Sequence, residues 1–255
     1  MMKKLILLAG IACLVFACGK KTEEQKAPLS FSMKNFRVES AGGCVSDTIP
    51  CAYYDVNYPE FTGLDTAVNA SLIKLLDATV SMGNPEAEGK TMKQVGEGFI
   101  KDYEEFKSDM PDAPGGWHYN ADATAEVVTD TLISISVQEE FYTGGAHGGY
   151  GTYFINIRPS NGAEYTLDDF FKPGYEEQLR VLGEKSFRKV REIADTASLN
   201  ENYFEFPDDK FELNKNFGFR KEGIVFFYNS YEIAAYAAGP TEVMIPYEEV
   251  KDLIK

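Results

Sequence analysis

Lys3 and Lys4 stand directly before an unbroken apolar run from Leu5 to Ala17, and that run ends at a cysteine, Cys18. A basic start followed by 13 apolar residues has the form of an export signal. It falls short of the about 20 residues that a membrane-crossing helix needs, and no later stretch reaches that length. Residues 1–17 are therefore expected to take no part in the fold. The rest must fold outside the cytoplasm, without a transmembrane segment and under oxidising conditions.

The end of the run, Val15-Phe16-Ala17-Cys18, resembles the bacterial lipobox, in which a small residue precedes a cysteine that is acylated and becomes the new N-terminus. A plain signal peptide with a chance cysteine is the alternative. Several acyl chains on Cys18 anchor a protein durably where a single one does not. Residues 18–30 include Gly-Lys-Lys-Thr-Glu-Glu-Gln-Lys-Ala-Pro, which is polar and lacks apolar periodicity, as a tether off a bilayer should. Gly19 does not resemble an inner-membrane retention signal. By analogy, the outer membrane is the expected location, with the protein facing periplasm or exterior.

Loss of Lys3 and Lys4 with the leader takes the formal net charge from −15 to −17, so the acidic excess belongs to the exported part. Nucleic acid and anionic lipid surfaces are disfavoured as partners, because each would meet like charge over most of the protein. A cationic partner is favoured. Hydrophobic content of 44% is that of a globular chain, and 255 residues suffice for one large or two small domains without a metal.

Export also sorts the four cysteines. Cys13 leaves with the leader and Cys18 takes lipid, so Cys44 and Cys51 remain as a pair expected to form a disulfide. The flanking residues 33–39 and 52–58 read as strands, so the bridge would close a hairpin loop. Metal binding is the lesser alternative, because the spacing does not fit a C-x-x-C knuckle and only two histidines exist to complete a site. No metal and no cofactor are expected.

Leu64, Val68, Leu72, Leu75 and Leu76 mark one face of a helix ending near Gly83, expected to pack on the first hairpin. Met92, Val95, Phe99, Tyr103 and Phe106 mark a second helix, weakened by Gly96 and Gly98. After the turn cluster Pro111-Asp-Ala-Pro-Gly-Gly the period shifts toward 2, as in Ile133, Ile135 and Val137 and again in Tyr153, Ile155 and Ile157. A helix at about 175–194 and strands at 216–220, 224–229 and 241–246 complete the chain. The pattern predicts an α+β fold of antiparallel sheets with helices packed on one face. Its expected divisions are 1–17 leader, 18–30 tether, 31–115 small N-terminal α/β domain and 116–255 C-terminal α+β domain.

Gly144-Gly-Ala-His-Gly148, residues 162–173, the run from Gly223 to Ala235 and the run from Gly239 to Tyr247 resemble the C-terminal domain shared by RsiV-type anti-sigma factors and PdaC-type deacetylases. Tyr53 to Pro59, with Asn69 and its helix, resembles more loosely the small domain that precedes it. The resemblance implies a module that binds: RsiV-type receptors grip lysozyme, and PdaC-type proteins carry the module before a separate catalytic domain. No sigma-factor-binding segment, transmembrane helix or polysaccharide deacetylase domain is recognised here. What the resemblance carries over is recognition of a protein or a glycan.

Two segments are candidate ligand-binding sites. Gly144, Gly145, His147 and Gly148 could converge N–H groups on an anion, with His147 as a base, although no H-E-x-x-H, G-x-S-x-G or Walker pattern names a nucleophile. Glycines serving tight backbone geometry beside a locally bonded His147 are the plainer alternative, and no catalytic residue is assigned. His118 is expected to pack or bond locally. In residues 195–212, six acidic side chains against Lys210 surround Tyr203, Phe204, Phe206 and Phe211. Tyr203, Phe204, Glu205, Asp208 and Asp209 are the candidates there, as acid-ringed aromatic anchors for a basic protein such as lysozyme. The plainer alternative folds the aromatics back over the core. Asp208 and Asp209 do not fit a calcium loop. Thr48, Thr66, Thr131 and Thr196 each follow an aspartate in a short pattern similar to an O-glycosylation signal. The function expected is non-enzymatic binding in the envelope. A glycan- or peptidoglycan-directed hydrolase using His147 is the alternative.

Overall fold

The structure, a computed structural model, describes residues 27–44, 50–81 and 87–255. The leader, Cys18, the first part of the tether and Thr48 lie outside the described residues.

Strands β1 (Ser30–Glu39) and β2 (Ala52–Thr62) form the expected hairpin, paired antiparallel from Ser30 opposite Thr62 to Glu39 opposite Tyr53. A Cys44–Cys51 disulfide closes its loop, with Cα atoms 5.5 Å apart. Helices α1 (Thr66–Thr79) and α2 (Met92–Asp109) follow. Each starts where its sequence provides a cap: Asp65 accepts the Ala67 N–H, and Thr91 with Gln94 forms a capping box. Asp77 near the end of α1 accepts the Met92 N–H at 2.8 Å and so ties the two helices together.

The chain then returns as β3 (Trp117–Val128), β4 (Ile133–Tyr142) and β5 (Gly149–Ile157), giving a five-stranded sheet in the order β1-β2-β3-β4-β5. The α+β class holds, with two corrections. The β2–β3 pair is parallel, Ala52 opposite Trp117 and Asn57 opposite Asp122, so the sheet is mixed rather than antiparallel. The two helices form the crossover that parallel neighbours require. Because this pair spans residue 115, the turn at residues 111–116 lies inside one sheet and does not separate two domains. Gly116 is what lets β3 enter: a Cβ there would sit 2.0 Å from the Cys51 carbonyl oxygen.

One face of this sheet carries Tyr54, Val56, Tyr119, Ala121, Ile135 and Ile155 and is roofed by α1 and α2. It is α2 that lies on the hairpin, while α1 sits over β5, a reversal of the expected packing. The contact explains Gly96: a Cβ would come 2.8 Å from the Tyr54 ring. Tyr54 stacks on Tyr119 at 4.6 Å, and its hydroxyl donates to the Val80 carbonyl.

The second unit holds α3 (Leu167–Phe170), α4 (Glu176–Val190), a three-stranded antiparallel sheet of β6 (Phe217–Phe219), β7 (Gly223–Tyr228) and β8 (Thr241–Pro246), and α5 (Tyr247–Val250). Helix α4 packs Leu179, Gly183 and Phe187 inward, and Ser186 bonds the Met244 carbonyl of β8. Phe187, Phe206, Phe211 and Tyr228 form an aromatic centre with rings 5–6 Å apart. Phe204, Phe206 and Phe211 of the acidic segment are therefore core residues.

The second unit docks on the other, polar face and free edge of the first sheet. Asn216 donates to the Thr152 carbonyl at 2.7 Å and accepts the Phe154 N–H at 3.1 Å. Asn229 accepts the Thr152 N–H at 2.8 Å. Two carboxamides thus occupy the bonding positions a further strand would fill. Ser134 and Ser136, on the polar face of β4, are buried beneath this unit, and Ser134 accepts the Phe219 N–H of β6.

Candidate functional site

Beyond the reach of β6 the polar face stays open, and strand register decides what it displays. Asp55, Asn120 and Glu140 lie side by side on β2, β3 and β4, and the next rung carries Asn57, Asp122 and Gln138. Alternation puts all six side chains on the face opposite the helical roof. Asn57 donates to Asp122 at 2.9 Å and Asn120 to Glu140 at 3.1 Å, so the amides hold the carboxylates in place. Asp55 accepts from Asn35 and from Arg37, whose guanidinium also bonds Glu39.

These rungs floor a groove of about 410 Å³, whose far wall is Tyr150 of β5 with Phe227 and Pro240 of the second unit. A second depression continues it past Glu140 and Tyr150 to His118, Tyr142 and Tyr236. His118 stacks between Tyr53 at 5.8 Å and Tyr142 at 6.1 Å, the packing role expected of it.

The glycine-rich loop borders this end. Gly144 and Gly145 are exposed with φ of 92° and 98°, conformations that side chains rarely adopt. Gly148 is tight against the Phe141 carbonyl oxygen, 2.5 Å from where its Cβ would be. The His147 ring stacks on Tyr236 at 4.4 Å, and its Nδ1 donates to the Gly148 carbonyl at 2.8 Å. Among the described residues no hydroxyl or carboxyl group is hydrogen-bonded to its Nε2. Tyr236 also lies 5.7 Å from Tyr150 and 5.5 Å from Tyr231, a residue 67% exposed at φ 72°.

Arg191, at the end of α4, fixes the wall. It donates to the carbonyls of Ala238, Gly239 and Pro240 and to Thr241, makes no ion pair among the described residues, and burial lowers its pKa. Sequence reasoning missed Arg191 and the whole groove floor. Asp55, Asn120 and Glu140 meet only through strand order.

Beneath the floor, on the roofed face, Glu139 is buried and accepts the Tyr119 hydroxyl at 2.7 Å. Desolvation raises its pKa, against the hydroxyls of Tyr119 and Tyr153, which favour the carboxylate. Burial beside Glu139 pushes the Tyr153 hydroxyl up to about 12.

The acidic segment lies on the second unit. Contrary to the sequence expectation, Phe204 is buried in the second core and is not an exposed anchor. Tyr203 is 89% exposed at φ 69°, with Glu201, Glu205 and Asp208 exposed around it. Asp209 is turned to structure: it accepts the Asn200 N–H at 2.8 Å, which lowers its pKa. Thr66, Thr131 and Thr196 are exposed. Among the described residues no group of three His, Cys, Asp or Glu side chains is placed to hold a metal, and no helix is long and apolar enough to cross a membrane.

Comparison with known proteins divides the chain much as the two sheets do. Residues 46–150 match the family described as deacetylase PdaC, and residues 168–248 match a protein family of unknown function, DUF3298. The peptidoglycan-N-acetylmuramic acid deacetylase PdaC of Bacillus subtilis (strain 168) is 29% identical over 126 residues, 48% of this chain. The match spans 26% of that protein's length. A DUF3298 family member from Bacteroides fragilis NCTC 9343 superposes with a TM-score of 0.66 at 23% identity, covering 90% of this chain and 95% of its own. Another from Pseudomonas aeruginosa PAO1 gives 0.60 at 21% identity, covering 90% and 96%. With its disulfide, the protein is of extracellular or envelope type. The chain joins a PdaC-like segment to a DUF3298-like segment, in the fold of the DUF3298 structures.

Proposed function

We propose that the protein is a non-enzymatic binding protein of the cell envelope. In this reading it is exported, acylated at Cys18 and held in the outer membrane facing periplasm or exterior, and its acidic surface receives a basic protein of the lysozyme kind. The observation that carries the reading is Tyr203, an aromatic side chain 89% exposed, with exposed Glu201, Glu205 and Asp208 on the same segment of a strongly acidic molecule. Charge speeds the encounter with a cationic partner, and burial of the ring supplies the lifetime. A relative acting on peptidoglycan supports placement in the envelope.

Hydrolysis through His147 is the second reading. Its ring is occupied by Tyr236 and the Gly148 carbonyl, which supports a structural role over a catalytic one.

Titration of the mature protein with lysozyme at low and high salt tests the proposal. Binding should weaken as salt screens charge and should fall about tenfold in Tyr203→Ala. Absence of binding, together with peptidoglycan turnover that disappears in His147→Ala, would transfer the assignment to the hydrolase.

A further inference from the structure

The groove on the open sheet face is separate from Tyr203, and its chemistry differs. We infer that it is a carbohydrate site for an amino-sugar oligosaccharide, a glycan whose free ammonium groups meet the carboxylates of the floor.

Four features point to that ligand. The floor is built from planar carboxyl and carboxamide groups, Asp55, Asn57, Asn120, Asp122, Gln138 and Glu140, each offering two polar atoms in one plane. Such groups bond neighbouring hydroxyl and amino substituents of a sugar ring in pairs. At one end stand aromatic rings, Tyr150, Tyr236 and the exposed Tyr231, whose faces can cover the apolar C–H side of a ring.

Charge sets the selectivity. Among the described residues no lysine or arginine lines the groove, and Arg37 at its border is taken up by Asp55 and Glu39. Asp122 and Glu140 make no ion pair among the described residues, so an anionic or neutral glycan leaves their charge unanswered. Shape sets the length. Neighbouring strands lie about 4.8 Å apart, close to the length of one sugar ring, so the three steps from β2 to β5 give about 14 Å. That length suits a short run of rings. The floor of the groove, carboxylates and carboxamides over two rungs, is not the desolvated apolar pocket that a protein hot spot needs.

The wall is rigid before any ligand arrives. Arg191 holds three successive carbonyls, from Ala238 to Pro240, just after Tyr236, which reduces the ordering cost of binding.

Calorimetric titration of the full mature chain with a glucosamine trimer and with an N-acetylglucosamine trimer tests the inference. The glucosamine trimer should bind, and the acetylated one should bind about tenfold more weakly. Asp122→Asn keeps the shape of the side chain and should weaken glucosamine binding by a similar factor. Tyr236→Ala should also weaken it, and Tyr203→Ala should leave it unchanged. The inference is overturned if neither trimer binds, if the acetylated trimer binds equally well, or if Asp122→Asn and Tyr236→Ala both bind as the natural protein does. Lysozyme titration of the same variants reports on Tyr203 alone, so failure at the groove leaves the basic-protein reading standing, and the reverse also holds.

Discussion

Replacing Asn216 by alanine tests how the second unit is attached to the first. The carboxamide donates to the Thr152 carbonyl at 2.7 Å and to the Phe227 carbonyl at 3.2 Å, and it accepts the Phe154 N–H at 3.1 Å. Thr152 keeps a donor after truncation, because Asn229 Nδ2 reaches the same oxygen at 3.1 Å. The Phe154 N–H keeps no partner from Asn216, and an unmade bond at a partly buried donor costs about 1–2 kcal/mol. The two lost donor bonds add about 0.5–1 kcal/mol each, for a total near 3 kcal/mol. For a chain of this size that lowers Tm by about 6–12 °C. Thermal unfolding followed by circular dichroism reads the shift, and amide exchange at Phe154 reads its location. A Tm that stays put while the Phe154 amide remains protected would refute the idea that this carboxamide substitutes for a strand.

Other perturbations have equally defined outcomes. Burial raises the Glu139 pKa above its unfolded value near 4.3, so the ionised form weighs against the fold. That cost is absent below the unfolded value and grows as pH rises through the folded one. Glu139→Gln should therefore raise Tm at about pH 7 and lose its advantage at about pH 4, and a pH-independent effect would contradict this assignment. Converting Cys44 and Cys51 to serine should cost about 2 kcal/mol, measured by denaturant unfolding, because the bridge closes a short loop. Gly116→Ala should reduce soluble yield sharply, since its Cβ meets the Cys51 carbonyl oxygen, a backbone atom held by the neighbouring disulfide. Normal yield and Tm would show that the β2–β3 entry is looser than the structure has it.

Local pattern carried most of the elements. Alternation marked β4 and β5, apolar stripes marked α1 and α2, and export with cysteine count marked the disulfide. What remained hidden depends on non-local pairing. Residues 117–127 are the exception: Trp117, Tyr119, Ala121 and Ala123 alternate with His118, Asn120, Asp122 and Thr124, so this strand was legible in the sequence and sequence reasoning missed it. Parallel pairing of β2 with β3 leaves no mark on either strand. In the acidic segment, composition is the same whether an aromatic faces out or in. Register with the second core buries Phe204, Phe206 and Phe211 and leaves Tyr203 outside. Of the glycine loop, sequence indicated the backbone freedom at Gly144 and Gly145 but not the ring that His147 leans on, which comes from residue 236.

The parallel β2–β3 pair has a kinetic corollary for a chain that emerges from its N-terminus. The hairpin can zip, and its thiols can oxidise, while later residues are still being delivered, yet its inner edge stays bare until both helices have formed and β3 has arrived. Assembly that waits on such distant contacts is slow, and the bare edge is sticky in the meantime. A holdase covering β2 during this interval would therefore raise the yield of folded molecules without altering their final stability.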